Sequence, residues 1–244
     1  MKRYKFKSKN IFLYKIALVM IITVSIFFAY FSTYINSTEY YYDFENDAIN
    51  SFPIGFVGIG RTTVHTKVVG WDHDDGHAGK VVQISYLDTF YTDSVDYAGI
   101  ELNTLFSKAN EGFISFDIYL VEELGIAIDV CQEDPIWDSK DDICIRIAYQ
   151  STYVMARDVR DSLINVLSPA LKLCQWYHFQ LEFNCQKNEW SVMIYKEMVL
   201  LGSMDFQFNI QPSYLCQLYF ATYTLGNEFY IDNVRISLNN IISQ

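Results

Sequence analysis

The chain has little proline, little glycine and, beyond its first residues, little positive charge. Four prolines and 11 glycines among 244 residues exclude collagen-like and low-complexity architectures. No two cysteines stand in C-x-x-C spacing, so a zinc knuckle is not indicated. No glycine-rich phosphate loop and no nucleophile elbow occur. Internal repeats are absent, and no long segment keeps a convincing helical period. No acidic residue precedes Glu39, and no charged residue of either sign lies between Ile16 and Thr38, a run of 23.

That uncharged run is long enough to cross a bilayer core of about 30 Å at about 1.5 Å per helical residue. It follows a basic tail holding Lys2, Arg3, Lys5, Lys7 and Lys9. Positive flanks stay in the cytoplasm, so the tail (1–10) is expected inside. Residues 11–35 are then expected as an uncleaved transmembrane signal anchor and residues 39–244 as an extracellular domain at the cell membrane. A cleaved secretory signal is the competing reading, although "AYFST" at Ala29–Thr33 is a poor cleavage site. Asn36-Ser37-Thr38 forms a glycosylation sequon just beyond the run.

Six of the 18 cations precede Glu39, which leaves 12 against 29 acids and a formal charge of −17 for the rest. Such a surface repels phosphate backbones and argues against a nucleic-acid partner. All five cysteines fall in this part: Cys131, Cys144, Cys174, Cys185 and Cys216. Cys131 and Cys144 bracket a polar loop between two strand-like runs and are candidates for a hairpin disulfide, with free thiols as the alternative. Cys174 and Cys185 flank "QWYHFQLEFN"; if that segment is one strand, its ends lie roughly 30 Å apart, beyond disulfide reach.

From Glu39 onward strand-like runs follow one another, from "EYYYDFEN" through "KVVQISYL", "YAGIELNT", "EGFISFDIYL" and "DICIRIAYQ" to "FYIDNVRIS". Turn signals at Gly55, Gly79, Gly112, Asn188 and Gly226 separate most of them. "RDSLINVLSPALKL" is ambiguous between a short helix and a strand. The pattern predicts an all-β antiparallel sandwich of jelly-roll type. Within "EFYIDNVRIS", strict alternation puts Tyr230, Asp232, Val234 and Ile236 on one face and Phe229, Ile231, Asn233 and Arg235 on the other. A carboxylate on an apolar face needs a partner, a metal or water.

Several segments, in order, resemble concanavalin A-like jelly-roll domains of the laminin G-like and carbohydrate-binding-module kind. "YDFENDAINSFPIGF" is similar to their first strand and turn, "GHAGKVVQI" to an early strand after a glycine-rich loop, and "WYHFQLEFNCQKNEWSVMIYKEMVL" to their central strand pair. "EFYIDNVRIS" is similar to their closing strand. The resemblance spans residues 40–238 and implies the fold more than the ligand. It also implies a structural calcium ion held by Glu45 and Asp232, together with backbone carbonyls. A solvated Asp232 at a strand end is the alternative.

Trp71 and Trp137 are the candidate carbohydrate-stacking residues, with a core position equally open for Trp71, and Trp176 and Trp190 read as core. "WDHDDGHAGK" has part of a calcium-loop spacing but lacks its closing glutamate and reads as a solvated loop. The paired-carboxylate motif of glycosidases on this fold is missing: Asp129 has no upstream partner and Glu182 stands alone. A lyase-type cluster would need His65, His178, Arg146 and Arg157 to converge. Three functions remain open: a glycan-binding, lectin-like module; a surface adhesin or envelope protein working through protein contacts; and a polysaccharide-degrading enzyme.

Overall fold

The computed structural model describes residues 19–24, 37–58, 66–72, 77–86, 100–123, 125–132, 143–150, 153–157, 162–167, 170–222 and 226–241. The chain divides into two units, Met1–Ser37 and Thr38–Gln244. In the first, residues 19–24 are helical, and Thr23 Oγ1 donates to Val19 O at 2.9 Å. Among the described residues no helix is long and apolar enough to cross a membrane. Most of the expected anchor, 11–35, lies outside the described residues.

The second unit is built from fourteen described strands. They are β1 (Thr38–Tyr42), β2 (Val57–Gly58), β3 (Thr66–Asp72), β4 (Ala78–Tyr86), β5 (Ile100–Leu120), β6 (Ile126–Cys131) and β7 (Ile143–Gln150). The series continues with β8 (Tyr153–Arg157), β9 (Leu163–Asn165), β10 (Gln175–Asn184), β11 (Glu189–Lys196), β12 (Val199–Gln207), β13 (Leu215–Thr222) and β14 (Asn227–Ile241). All described pairings are antiparallel. One layer runs β12-β11-β10-β5-β14, with β4 and β1 end to end along the far edge of β14 and β3 beyond β4. The other runs β5-β13-β6-β7-β8-β9, with β2 on the free side of β5.

β5 belongs to both layers. Two strands were expected here, parted by a turn at Gly112, but the chain runs through as one strand of 21 residues. Its first half pairs with β13 and its second with β10 and β14. Gly112 serves close approach instead of a turn: a Cβ there would lie 2.7 Å from the Phe183 ring and 3.0 Å from Ser237 O. The ambiguous segment after Arg160 contributes a three-residue strand, β9.

The core lies between the layers. Phe116 stacks on Phe179 of the adjacent strand (5.4 Å) and meets Phe220 of the opposite layer edge-on (5.0 Å). Ile114, Ile118, Leu181, Val192 and Ile231 fill the space around them, all fully buried. Aromatic rings suit such pleated inner faces because they bury large apolar areas in few rotamers.

β14 departs from the alternation read off its sequence. Its register against β5 shifts between Asp232 and Arg235, and Asn233 takes a left-handed φ of 50°. This β-bulge inserts one residue and changes the phase of the strand. Phe229 and Ile231 before it, and Val234, Ile236 and Leu238 after it, all face the core. Asp232 therefore shares the outer face with Tyr230 and, past the bulge, Arg235, not with Val234 and Ile236.

Candidate functional site

The outer face of the β14-β5-β10-β11-β12 layer carries polar and aromatic side chains in register. Tyr230, Tyr119 and Trp176 form one cross-strand row. Asp232, Asp117, His178 and Tyr195 form the next. Further along, Ser237, Phe113, Glu182, Ser191 and Asp205 line up across five strands. Asn239, Glu111, Asn184 and Glu189 make the last row.

At the aromatic end, Trp71 packs edge-on to Tyr119 (4.8 Å), Trp176 (5.2 Å) and Tyr230 (4.8 Å). Trp71 is only 5% exposed. It thus serves as a packing centre under its neighbours, the core position that the sequence left open beside a stacking role. Trp176, expected in the core, is instead half-buried on this outer face, with the His77 ring stacked on it at 4.0 Å and 14°. Trp190 is core, as expected. The polar alternation Trp176, His178, Gln180, Glu182 was the available signal for Trp176. Trp137 lies outside the described residues.

Two carboxylates face each other beside this cluster, each with a histidine. Asp232 Oδ2 lies 2.7 Å from His77 Nε2, and Asp117 Oδ1 lies 2.7 Å from His178 Nδ1. Asn233 Nδ2 donates to Asp117 Oδ2 (2.7 Å), and Tyr41 OH donates to Asn233 Oδ1 (3.0 Å). Like charges directly opposite on neighbouring strands repel, so each needs its donor. Burial pushes the Asp232 carboxyl above its ordinary pKa, and the Asp117 charge adds to this; the His77 hydrogen bond opposes it. Asp232 Oδ1 and Trp176 Nε1 are both buried without a hydrogen-bond partner.

Glu45 sits in the turn after β1. Its Oε1 accepts the main-chain N–H of Lys80 (2.8 Å), while the Lys80 ammonium donates to Glu45 O (2.7 Å) and Asp47 O (2.8 Å). That donor set does not suit the calcium ion that the resemblance implies. Both carbonyls of the turn already face an ammonium, and Asp232 faces His77. Among the described residues no three His, Cys, Asp or Glu side chains converge as a metal-binding group.

At the other end the outer face opens into a cleft of about 560 Å³. Glu111, Glu182, Glu189, Asp205, Asn184 and Phe113 are among its lining residues.

The opposite layer has its own outward row. Arg146 clamps Asp129 through Nε (2.8 Å) and Nη2 (2.6 Å). Asp129, Arg157 and Tyr219 are buried there. His178 lies on the other layer's outer face, so Arg146 and His178 do not meet; His65 lies outside the described residues. Cys131 and Cys144 flank an irregularity in the β6–β7 pairing, and both are free thiols, as are the other three cysteines. Cys174 and Cys185 stand at opposite ends of β10, as expected.

The fold is the concanavalin A-like jelly roll. Peanut lectin superposes with a TM-score of 0.53 at 9% identity, covering 85% of this chain and 99% of the lectin. A conserved carbohydrate esterase from the Shiga toxin-encoding bacteriophage phi24B gives 0.53 at 10% identity, covering 82% and 97%. A sialidase gives 0.51 at 12% identity over 77% of this chain, which spans only 19% of that protein. These similarities establish the architecture. No known family profile and no curated protein sequence matches the chain.

Proposed function

We propose that the protein is a carbohydrate-binding, lectin-like module whose ligand lies in the cleft on the outer face of the β14-β5-β10-β11-β12 layer. The cleft itself carries the reading. Its volume falls within the range of small-ligand sites, roughly 300–1,000 Å³. Its lining joins acceptors for sugar hydroxyls, Glu182, Asp205 and Glu111, to the amide of Asn184 and the Phe113 ring. Carboxylates and amides placed on rigid strands give directional hydrogen bonds, and a ring face accepts the apolar side of a pyranose. The peanut lectin and esterase neighbours lend support at the level of architecture. The basic tail and the uncharged run before Thr38 support an anchored module displayed outside the cell membrane.

A glycan-array screen of residues 38–244 tests this, with Glu182→Ala and Asp205→Ala beside the wild type. Selective binding lost in both variants is expected. Silence on every glycan overturns the reading.

A second reading, an adhesin working through protein contacts, is favoured by one feature. The edge strand β12 and the turn before it expose Met198, Val199, Leu200 and Leu201 in succession. Natural edge strands carry charges that block pairing, and this stretch has none before Asp205. Glycan silence together with concentration-dependent association would favour it.

A further inference from the structure

The segment "GHAGK" places two positively ionisable side chains where the resemblance implies a metal. His77 precedes β4 and reaches Asp232 of the closing strand at 2.7 Å. Lys80, three residues on, binds the turn that follows the first strand through three hydrogen bonds. Its main-chain N–H meets Glu45 Oε1, and its ammonium meets Glu45 O and Asp47 O at 2.7 and 2.8 Å. These are ammonium hydrogen-bond lengths. We infer that Lys80 and His77 together do the structural work of a divalent ion, so that the domain closes its first and last strands without metal.

Local geometry is built around the ammonium. Phe44 takes a left-handed φ of 57°, and the following turn is closed by Asp47 N–H donating to Phe44 O at 3.0 Å. Asp47 is itself buried, with Oδ2 accepting Ile54 N–H at 2.9 Å. The main-chain carbonyls of Glu45 and Asp47 converge on the Lys80 ammonium, while the Asp47 carboxylate is held by Ile54 N–H. Gly79, at φ 121°, lets the Glu45 carboxylate approach: a Cβ there would fall 1.9 Å from Glu45 Oε1. A divalent ion entering this turn would meet the lysine charge at short range. Calcium also needs six to eight oxygens, whereas an ammonium is satisfied by three acceptors. His77 gives the other carboxylate, Asp232, a hydrogen-bond partner at 2.7 Å.

Thermal unfolding of the full chain, in calcium and in chelator, tests the inference. The two midpoints are expected to coincide, and a calorimetric calcium titration of the folded protein is expected to show no saturable heat. Lys80→Met, which keeps the stem and removes the charge, should lower the midpoint by roughly 4 °C or more in both buffers. Lys80→Arg should keep most of the wild-type midpoint. A wild-type midpoint that rises with calcium, or a saturable titration, overturns the inference. So does a Lys80→Met midpoint equal to that of the wild type. The titration needs no variant, so a Lys80→Met chain that fails to fold leaves the test intact.

Discussion

Asp232 shows how one side chain links packing to pH. It is 5% exposed, bonded to His77 through one oxygen, and faces Asp117 across the β5–β14 pair. Its pKa is raised in the folded state above the ordinary 3.8. A raised carboxyl pKa means that the folded state favours the protonated form. The associated stability is fully present below pH 3.8 and is lost as pH rises through the folded value. Asp232→Asn removes this titration. Relative to the wild type, the variant is expected to gain stability as pH rises above 3.8, read from urea midpoints. A stability difference that stays flat with pH would show that the carboxyl is not desolvated.

The thiols make a separate prediction at the same scale. Burial pushes the Cys185 thiol up to about 12, and Cys131 is also raised, by burial first and then by the Asp129 charge. Cys174 is exposed. A thiolate-directed reagent should label Cys174 first, and Cys131 and Cys185 only on unfolding. Five thiols should titrate in denaturant, and reductant should leave the melting midpoint unchanged. A shifted midpoint would signal a disulfide in the folded chain and refute the assignment of five free thiols.

At the level of elements, the bulge in β14 decides which side chains meet solvent. Asn233 is suited to it, because asparagine tolerates left-handed backbone and its side chain returns to Asp117. A β-branched residue there pays steric strain of about 1–2 kcal/mol and loses a hydrogen bond. Asn233→Val should therefore cost about 2–3 kcal/mol in chemical denaturation. Asn233→Gly keeps the backbone conformation and should cost less. Equal losses in both variants would refute the account of the bulge. β5 makes the complementary point: a strand that spans both layers passes its glycine against Phe183 without breaking.

The whole molecule rests on the aromatic seam between the layers. Phe116 touches Phe179 beside it and Phe220 across the core. Phe116→Ala should destabilise the domain by about 3–5 kcal/mol, because the cavity adds to the lost transfer energy. A much smaller loss in equilibrium unfolding would mean that the core collapses to fill the site. The outer faces are free of this demand, and one of them holds the proposed glycan cleft between rows of carboxylates.

The order of strands, the antiparallel sandwich, the acidic surface and the core role of Trp190 were legible in the sequence. Each follows from local alternation, turn residues or a sum of charges, which neighbours in the chain determine. Separate strands at "YAGIELNT" and "EGFISFDIYL", the face of Asp232 and the core role of Trp176 were misread. Each depends on partners far away in sequence: β13 and β14 on either half of β5, Asp117 opposite the bulge, and His77 stacked over the indole. The pairing of Glu45 with Lys80 is likewise a contact across 35 residues. Local sequence sets the period of a strand, whereas bulges, burial and charge partners arise only when strands from distant parts of the chain come into register.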